Sequence, residues 1–123
     1  MYDKELLYNV LQQILEAIQK IEKRFKSISK PSDFIDTYEG ATMLDAICMM
    51  LIAIGENLKN VDKITNKTLL AKYPEMDWKG VKGLRDIISH HYFDIDVEEI
   101  FWVCEHHIPQ LSQTIEKIIK ENK

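Results

Sequence analysis

Leu6-Leu7-Tyr8-Asn9-Val10-Leu11-Gln12-Gln13-Ile14-Leu15-Glu16-Ala17-Ile18-Gln19-Lys20-Ile21-Glu22-Lys23-Arg24-Phe25-Lys26-Ser27-Ile28 is the stretch that decides the fold class. Leu7, Leu11, Ile14, Ile18, Ile21, Phe25 and Ile28 recur at alternating steps of four and three, which lays one apolar seam along a long helix. Ser29-Lys30-Pro31-Ser32-Asp33 breaks it, because proline cannot continue the hydrogen-bond ladder. A second helix is predicted from about Tyr38 to Asn60. Met43, Ala46, Ile47, Met50, Leu51, Ile54, Leu58 and Val61 give it a broad apolar face, suited to the centre of a bundle. Gly55-Glu56 is expected to end or locally adapt that helix.

Thr65 to Lys72 reads as a short connector. Asp77 can cap a third helix beginning near Trp78 and carrying Val81, Leu84, Ile87 and Ile88. Asp96 and Glu99 form a capping box for a last helix. There Val97, Ile100, Cys104, Ile108, Leu111, Ile115 and Ile118 keep helical spacing through Pro109, which should kink it. No segment alternates as a strand would. The fold class is therefore all-α: an up-and-down bundle of four main helices plus a short connector helix. The 123 residues read as one domain, 1–123, with a frayed end at about 119–123.

An apolar fraction of 46% and a charged fraction of 29% are those of a globular chain. The longest apolar run, Ala46 to Ile54, is too short to span a bilayer, and the first residues lack the apolar segment of a secretory signal. A cytoplasmic location with no membrane partner is expected. Cys48 and Cys104 fall in apolar patterns and read as buried, reduced thiols. The net charge of −4 argues against a broad electrostatic footprint for nucleic acid, and no DNA partner is expected. RNA would have to be handled in a local cationic cleft.

Reactive chemistry is concentrated in Arg85-Asp86-Ile87-Ile88-Ser89-His90-His91-Tyr92. Arg85 can hold a phosphate, and His90 can exchange a proton near neutral pH. Asp86 lies four residues before His90 on the same helical face, where a carboxylate would orient the imidazole as general base or acid. Ser89 and Tyr92 share a neighbouring face with Arg85, while Lys79 and Lys82 add positive charge one and two turns earlier. Arg85 and His90, however, diverge by roughly 140° on an ideal helix. Either the helix loosens near His90, or a symmetry-related copy supplies part of the site. Gly80 and Gly83 admit close helix–helix approach in such a dimer. The bland alternative is an Arg85 paired with a surface acid and a satisfied His90. Glu56 is a candidate partner for Arg85.

Metal sites are poorly supported. His90-His91 and His106-His107 point apart on a helix, and Cys104 with His107 completes no known ligand set. No metal and no cofactor are expected. Trp78 and Trp102 read as core or interface aromatics.

Leu51-Ile52-Ala53-Ile54-Gly55-Glu56, Tyr73-Pro74-Glu75-Met76-Asp77-Trp78 and Leu84-Arg85-Asp86-Ile87-Ile88-Ser89-His90-His91-Tyr92, in that order, resemble the HepT-like proteins of the HEPN superfamily. The resemblance runs from about residue 5 to residue 118. Its most specific element is an Arg, four residues, a His, one residue and a Tyr, met by Arg85, His90 and Tyr92. It implies a HEPN-like bundle that homodimerises, with the Arg–His motifs of both subunits lining one cleft. It also implies a metal-independent endoribonuclease that is the toxin of a toxin–antitoxin pair. The implied antitoxin is an MntA-like minimal nucleotidyltransferase that modifies the motif tyrosine, here Tyr92, with AMP. His91 departs from the acidic residue relatives commonly carry there, which alters local charge. A non-catalytic HEPN module that positions nucleotide or RNA for a nucleotidyltransferase would use the same Arg and His. A purely structural helical dimer would use neither.

Overall fold

Helix α1 spans Lys4–Phe25 and begins where the Asp3 carboxylate accepts the Leu6 backbone N–H at 3.0 Å. The computed structural model describes residues 2–123; the first residue of the expected domain, Met1, lies outside them. Leu7, Leu11, Ile14, Ile18 and Ile21 are buried as the seam requires. Phe25 closes the end of the helix against Phe101, ring centroids 5.1 Å apart. The seam outlasts the helix: Ile28 is buried although it lies past the last α-helical residue.

The expected break is a built turn. Asp33 Oδ2 accepts the backbone N–H groups of Ser29 at 2.7 Å and Lys30 at 3.2 Å, and the 3₁₀ turn Pro31–Phe34 seats Phe34 wholly in the core. Helix α2, Tyr38–Ile64, follows, with Thr37 Oγ1 accepting the Gly40 N–H at 2.9 Å. It runs past Asn60 and straight through Gly55-Glu56, so the expected stop there is absent. Gly55 serves packing instead. Leu44, Ile47, Cys48, Leu51, Ile54, Leu58 and Val61 are buried, while Met43, Ala46 and Met50 flank them half-buried. Length and composition alone would let α2 cross a membrane; here its apolar face is covered by α1 on one side and by the third helix on the other. Cys48 and Cys104 are free and buried, and burial pushes both thiols up to about 12.

After the connector turn Leu70–Lys72 comes α3, Trp78–His91, capped by Asp77 Oδ1 accepting the Gly80 N–H at 2.9 Å. Trp78 is buried and its Nε1–H donates to the Tyr73 carbonyl at 2.9 Å. Val81, Leu84 and Ile88 face the core, but Ile87 is 46% exposed and belongs to the outer surface.

The last rod has three parts: α4, Val97–Trp102; a π-helical turn, Val103–His107; and α5, Ile108–Glu121. Asp96 caps α4 through the Glu98 N–H, and no return bond from the Glu99 side chain closes the expected box among the described residues. Pro109 sits at the start of α5 and has no N–H to give the carbonyl four residues back. The wider π turn before it accommodates the ring. The rod continues through Pro109 without ending. Helix α5 runs to Glu121, where Tyr73 Oη donates to Glu121 Oε1 at 2.6 Å and Asn122 Nδ2 donates to the Ile118 carbonyl at 2.8 Å. With α5 returned onto α1, the chain is an all-α, HEPN-like bundle of four main helices, and no strand occurs among the described residues.

Candidate functional site

Helices α2 and α3 run antiparallel, and their polar contacts form a ladder. Tyr92 meets Asp45, Arg85 meets Glu56, and Lys82 meets Asp62 at 2.7 Å. The ladder is tight at its middle because residue 55 has no side chain. A Cβ placed on Gly55 would lie 2.9 Å from Arg85 Cβ. Arg85 Nε approaches Glu56 Oε1 to 2.5 Å, and Nη1 donates to Asp86 Oδ1 at 3.0 Å. The Nε contact is an ion pair without hydrogen-bond alignment, since the Nε–H finds no aligned acceptor. Asp86 first, then Glu56, push the guanidinium pKa up, and Arg85 with Lys59 holds the Asp86 carboxyl below its usual range. Glu56 is thus the partner its position suggested.

Asp86 does not orient His90. Its carboxylate is engaged by Arg85, and no hydrogen bond or ion pair reaches His90 among the described residues. His90 and His91 are exposed. The helix does loosen, but only one residue too late: His91 leaves the helical backbone with φ −132° and ψ 31° before the 3₁₀ turn Tyr92–Asp94, while α3 continues through His90. The divergence of Arg85 and His90 within one chain therefore stands. Ser89 and Lys79 are exposed, whereas Lys82 is committed to Asp62.

Tyr92 donates its hydroxyl to Asp45 across a pocket of about 380 Å³ that Ser89, Met49 and Ile52 help to line. Phe93 beside it is fully exposed. Sequence reasoning passed over Asp45 and Asp62. Their signal was the scarcity of charge on α2: a carboxylate in an apolar helix needs a reason, and both face α3. Among the described residues no three His, Cys, Asp or Glu side chains gather as metal ligands. Cys104 is buried, while His106 and His107 stack on Trp102, with ring centroids 5.0 and 4.6 Å away. Gly80 is filled by the Asp77 cap, and Gly83 faces open space.

The family described as Ribonuclease HepT-like matches residues 14–118. The chain belongs to that family. Among its relatives, a Methanocaldococcus jannaschii protein named "Putative RNase" is 38% identical over 76 residues, 62% of this chain and 60% of its own length. A second of that name and organism is 27% identical over 118 residues, covering 96% of this chain and 91% of the relative. "Probable ribonuclease HepT" of Thermococcus cleftensis is 30% identical over 110 residues, 89% of this chain and 93% of the relative. No solved structure gives a significant match. The HepT-like region takes in all of α2 and α3, and so every rung of the ladder.

Proposed function

We propose that this HepT-like ribonuclease is the toxin of a HEPN/minimal-nucleotidyltransferase toxin–antitoxin pair. It acts in the cytoplasm as a homodimer, with Arg85 of one protomer and His90 of the other meeting across a shared cleft. The observation that carries this reading is the contrast between the two side chains. Arg85 is fixed by Glu56, Asp86 and the close approach at Gly55, whereas His90 is exposed and unpartnered on the far side of a regular helix. One chain cannot aim both at one phosphate; a two-fold axis beside α3 can. Ile87, Met49 and Phe93, 46%, 58% and 100% exposed, supply apolar surface for a second copy to cover.

In that cleft the RNA's 2′-hydroxyl gives its proton to a base and attacks the adjacent phosphorus. The O2′–P bond forms, the P–O5′ bond breaks, and the departing 5′-oxygen takes up a proton, leaving a 2′,3′-cyclic phosphate. His90 serves as base or acid. Arg85, steadied by Asp86, neutralises charge growing on the equatorial oxygens, a contribution of about 3–4 kcal/mol. Ser89 adds a hydrogen bond to the phosphate. The substrate carries its own nucleophile, so the chemistry asks for no metal, and DNA, lacking the 2′-hydroxyl, is not cut. Cleavage is expected to persist in excess EDTA and to leave cyclic phosphate ends. Metal dependence, or 3′-hydroxyl products, would overturn the mechanism.

Tyr92 is the proposed switch. An AMP group on its hydroxyl displaces the Asp45 bond and brings bulk and negative charge to the cleft mouth. Co-expression with the nucleotidyltransferase encoded beside it should add AMP-sized increments to the intact mass. Their persistence in Tyr92→Phe would place the modification elsewhere.

A further inference from the structure

On a chain of net charge −4, positive charge gathers locally, at the end of α1 around Lys20, Lys23, Arg24 and Lys26 and again beside the Arg85 ladder. Between the C-terminal half of α2 and the first turns of α3 lies an open cleft of about 710 Å³, where Lys59, Lys63, Lys67, Lys79 and Lys82 outnumber Asp62 and Asp86. Lys82 is neutralised by Asp62, and Lys59 acts on Asp86. Lys63, Lys67 and Lys79 have no carboxylate within ion-pair distance among the described residues. Unpaired ammonium groups in one concavity repel one another, so the arrangement favours an anion.

The backbone gives a second, independent sign. Asn66 and Lys67 adopt φ of 53° and 62°, the left-handed region that closes many helices and is best suited to glycine. Asparagine tolerates it; lysine has no such excuse. The chain holds a long cationic side chain where an uncharged glycine would sit with less strain, and the side chain lines the cleft.

We infer that this cleft is a phosphate track, which takes the sugar–phosphate backbone of single-stranded RNA leading away from Arg85 toward the end of α2. The direction of the track rests on the ribonuclease reading of the Arg85 end. From Glu56 to Lys63 the helix axis advances roughly 10 Å, so the lysines are strung along a strand rather than gathered around one phosphate group. No aromatic ring lines the cleft to stack a base, which separates a backbone track from a nucleotide pocket. Lysine suits the task because a mobile point charge follows phosphates without reading sequence.

The test uses the full chain and a single-stranded oligoribonucleotide of about ten nucleotides, 2′-O-methylated so that it cannot be cleaved. Binding is followed by fluorescence anisotropy across a salt series. Lys63→Ala combined with Lys67→Gly is expected to weaken binding about tenfold at low salt. It should also flatten the slope of log K against log salt by about 0.7 for each lysine lost. Lys67→Gly relieves strain, so its melting temperature should not fall, and loss of binding cannot be ascribed to unfolding. Lys63→Arg with Lys67→Arg should restore the slope. An unchanged slope in the alanine–glycine variant overturns the track, as does failure of the parent to bind. So does lysine-dependent binding of ATP with none of the oligonucleotide. The two readings fail separately: a parent that binds through these lysines but cuts no RNA loses its catalytic assignment and keeps the track. A parent that cuts RNA with a lysine-independent slope does the reverse.

Discussion

Mixing two inactive variants, Arg85→Ala and His90→Ala, is expected to restore ribonuclease activity to about a quarter of the parent's. Alone, each should lose roughly 100-fold or more, the scale on which charge stabilisation and proton transfer contribute. Random exchange of subunits makes half of the dimers mixed. The shared cleft holds two Arg85–His90 pairs, and in a mixed dimer one pair lacks both groups while the other keeps Arg85 from one chain and His90 from its partner. Half the dimers with one working pair of two gives the quarter. The expectation follows from the continuity of α3 through His90, which keeps the two side chains apart in any single copy. A mixture as inactive as its components would mean that both groups act within one chain, or that a cleft needs all four. Either result removes the composite site as drawn. Native mass spectrometry of the mixture, which separates the mixed dimer from both parents by mass, establishes that subunits have exchanged.

The same substitution, glycine to alanine, is expected to have opposite effects at three positions. At Gly40 the new Cβ would overlap the carbonyl oxygen of Asp33, backbone that cannot swing aside. The cost should be about 3 kcal/mol, a fall in Tm on the order of 10 °C. At Gly55 the intruded atom is Arg85 Cβ, 2.9 Å away, so relief comes by pushing α3 outward. Stability should drop by about 1 kcal/mol while ribonuclease activity drops far more, because the guanidinium moves with its helix. At Gly83 nothing lies within 4 Å, and alanine should raise stability by up to about 1 kcal/mol through helix propensity. Thermal unfolding of the three proteins decides the matter. If Gly40→Ala melts with Gly83→Ala, the crowding at the start of α2 is not real.

These positions also show what a sequence discloses. The seam of α1 and the Asp77 and Asp96 caps follow from local rules, since periodicity and capping need only neighbours in the chain. Gly55 misled because glycine in a helical pattern signals a stop as readily as a close crossing, and only the facing Arg85 tells which. Phe34 could not be read as core, because burial inside a four-residue turn leaves no period. At the site, Glu56 was legible as a candidate partner for Arg85, and the two meet. Asp86 was assigned to the wrong neighbour: residues 85 and 90 compete for it, and side-chain reach, not helical phase, settles the choice. Asp45 lies 47 residues from Tyr92, a separation no local pattern spans.

The π turn at Val103–His107 gives the last rod a spare residue. Ile100, Cys104 and Ile108 are spaced four and four, which overshoots two ordinary turns by roughly 0.8 residue. In a uniform helix Ile100 and Ile118 would come back into line after about five turns, so Leu111 and Ile115 would share the side of Ile100 as well. The wide turn at Val103–His107 interrupts that line, and the rod packs on the Pro31–Phe34 turn before it and on α1 after it. Upstream and downstream stretches of this rod can therefore drift in sequence independently, each keyed to its own neighbour.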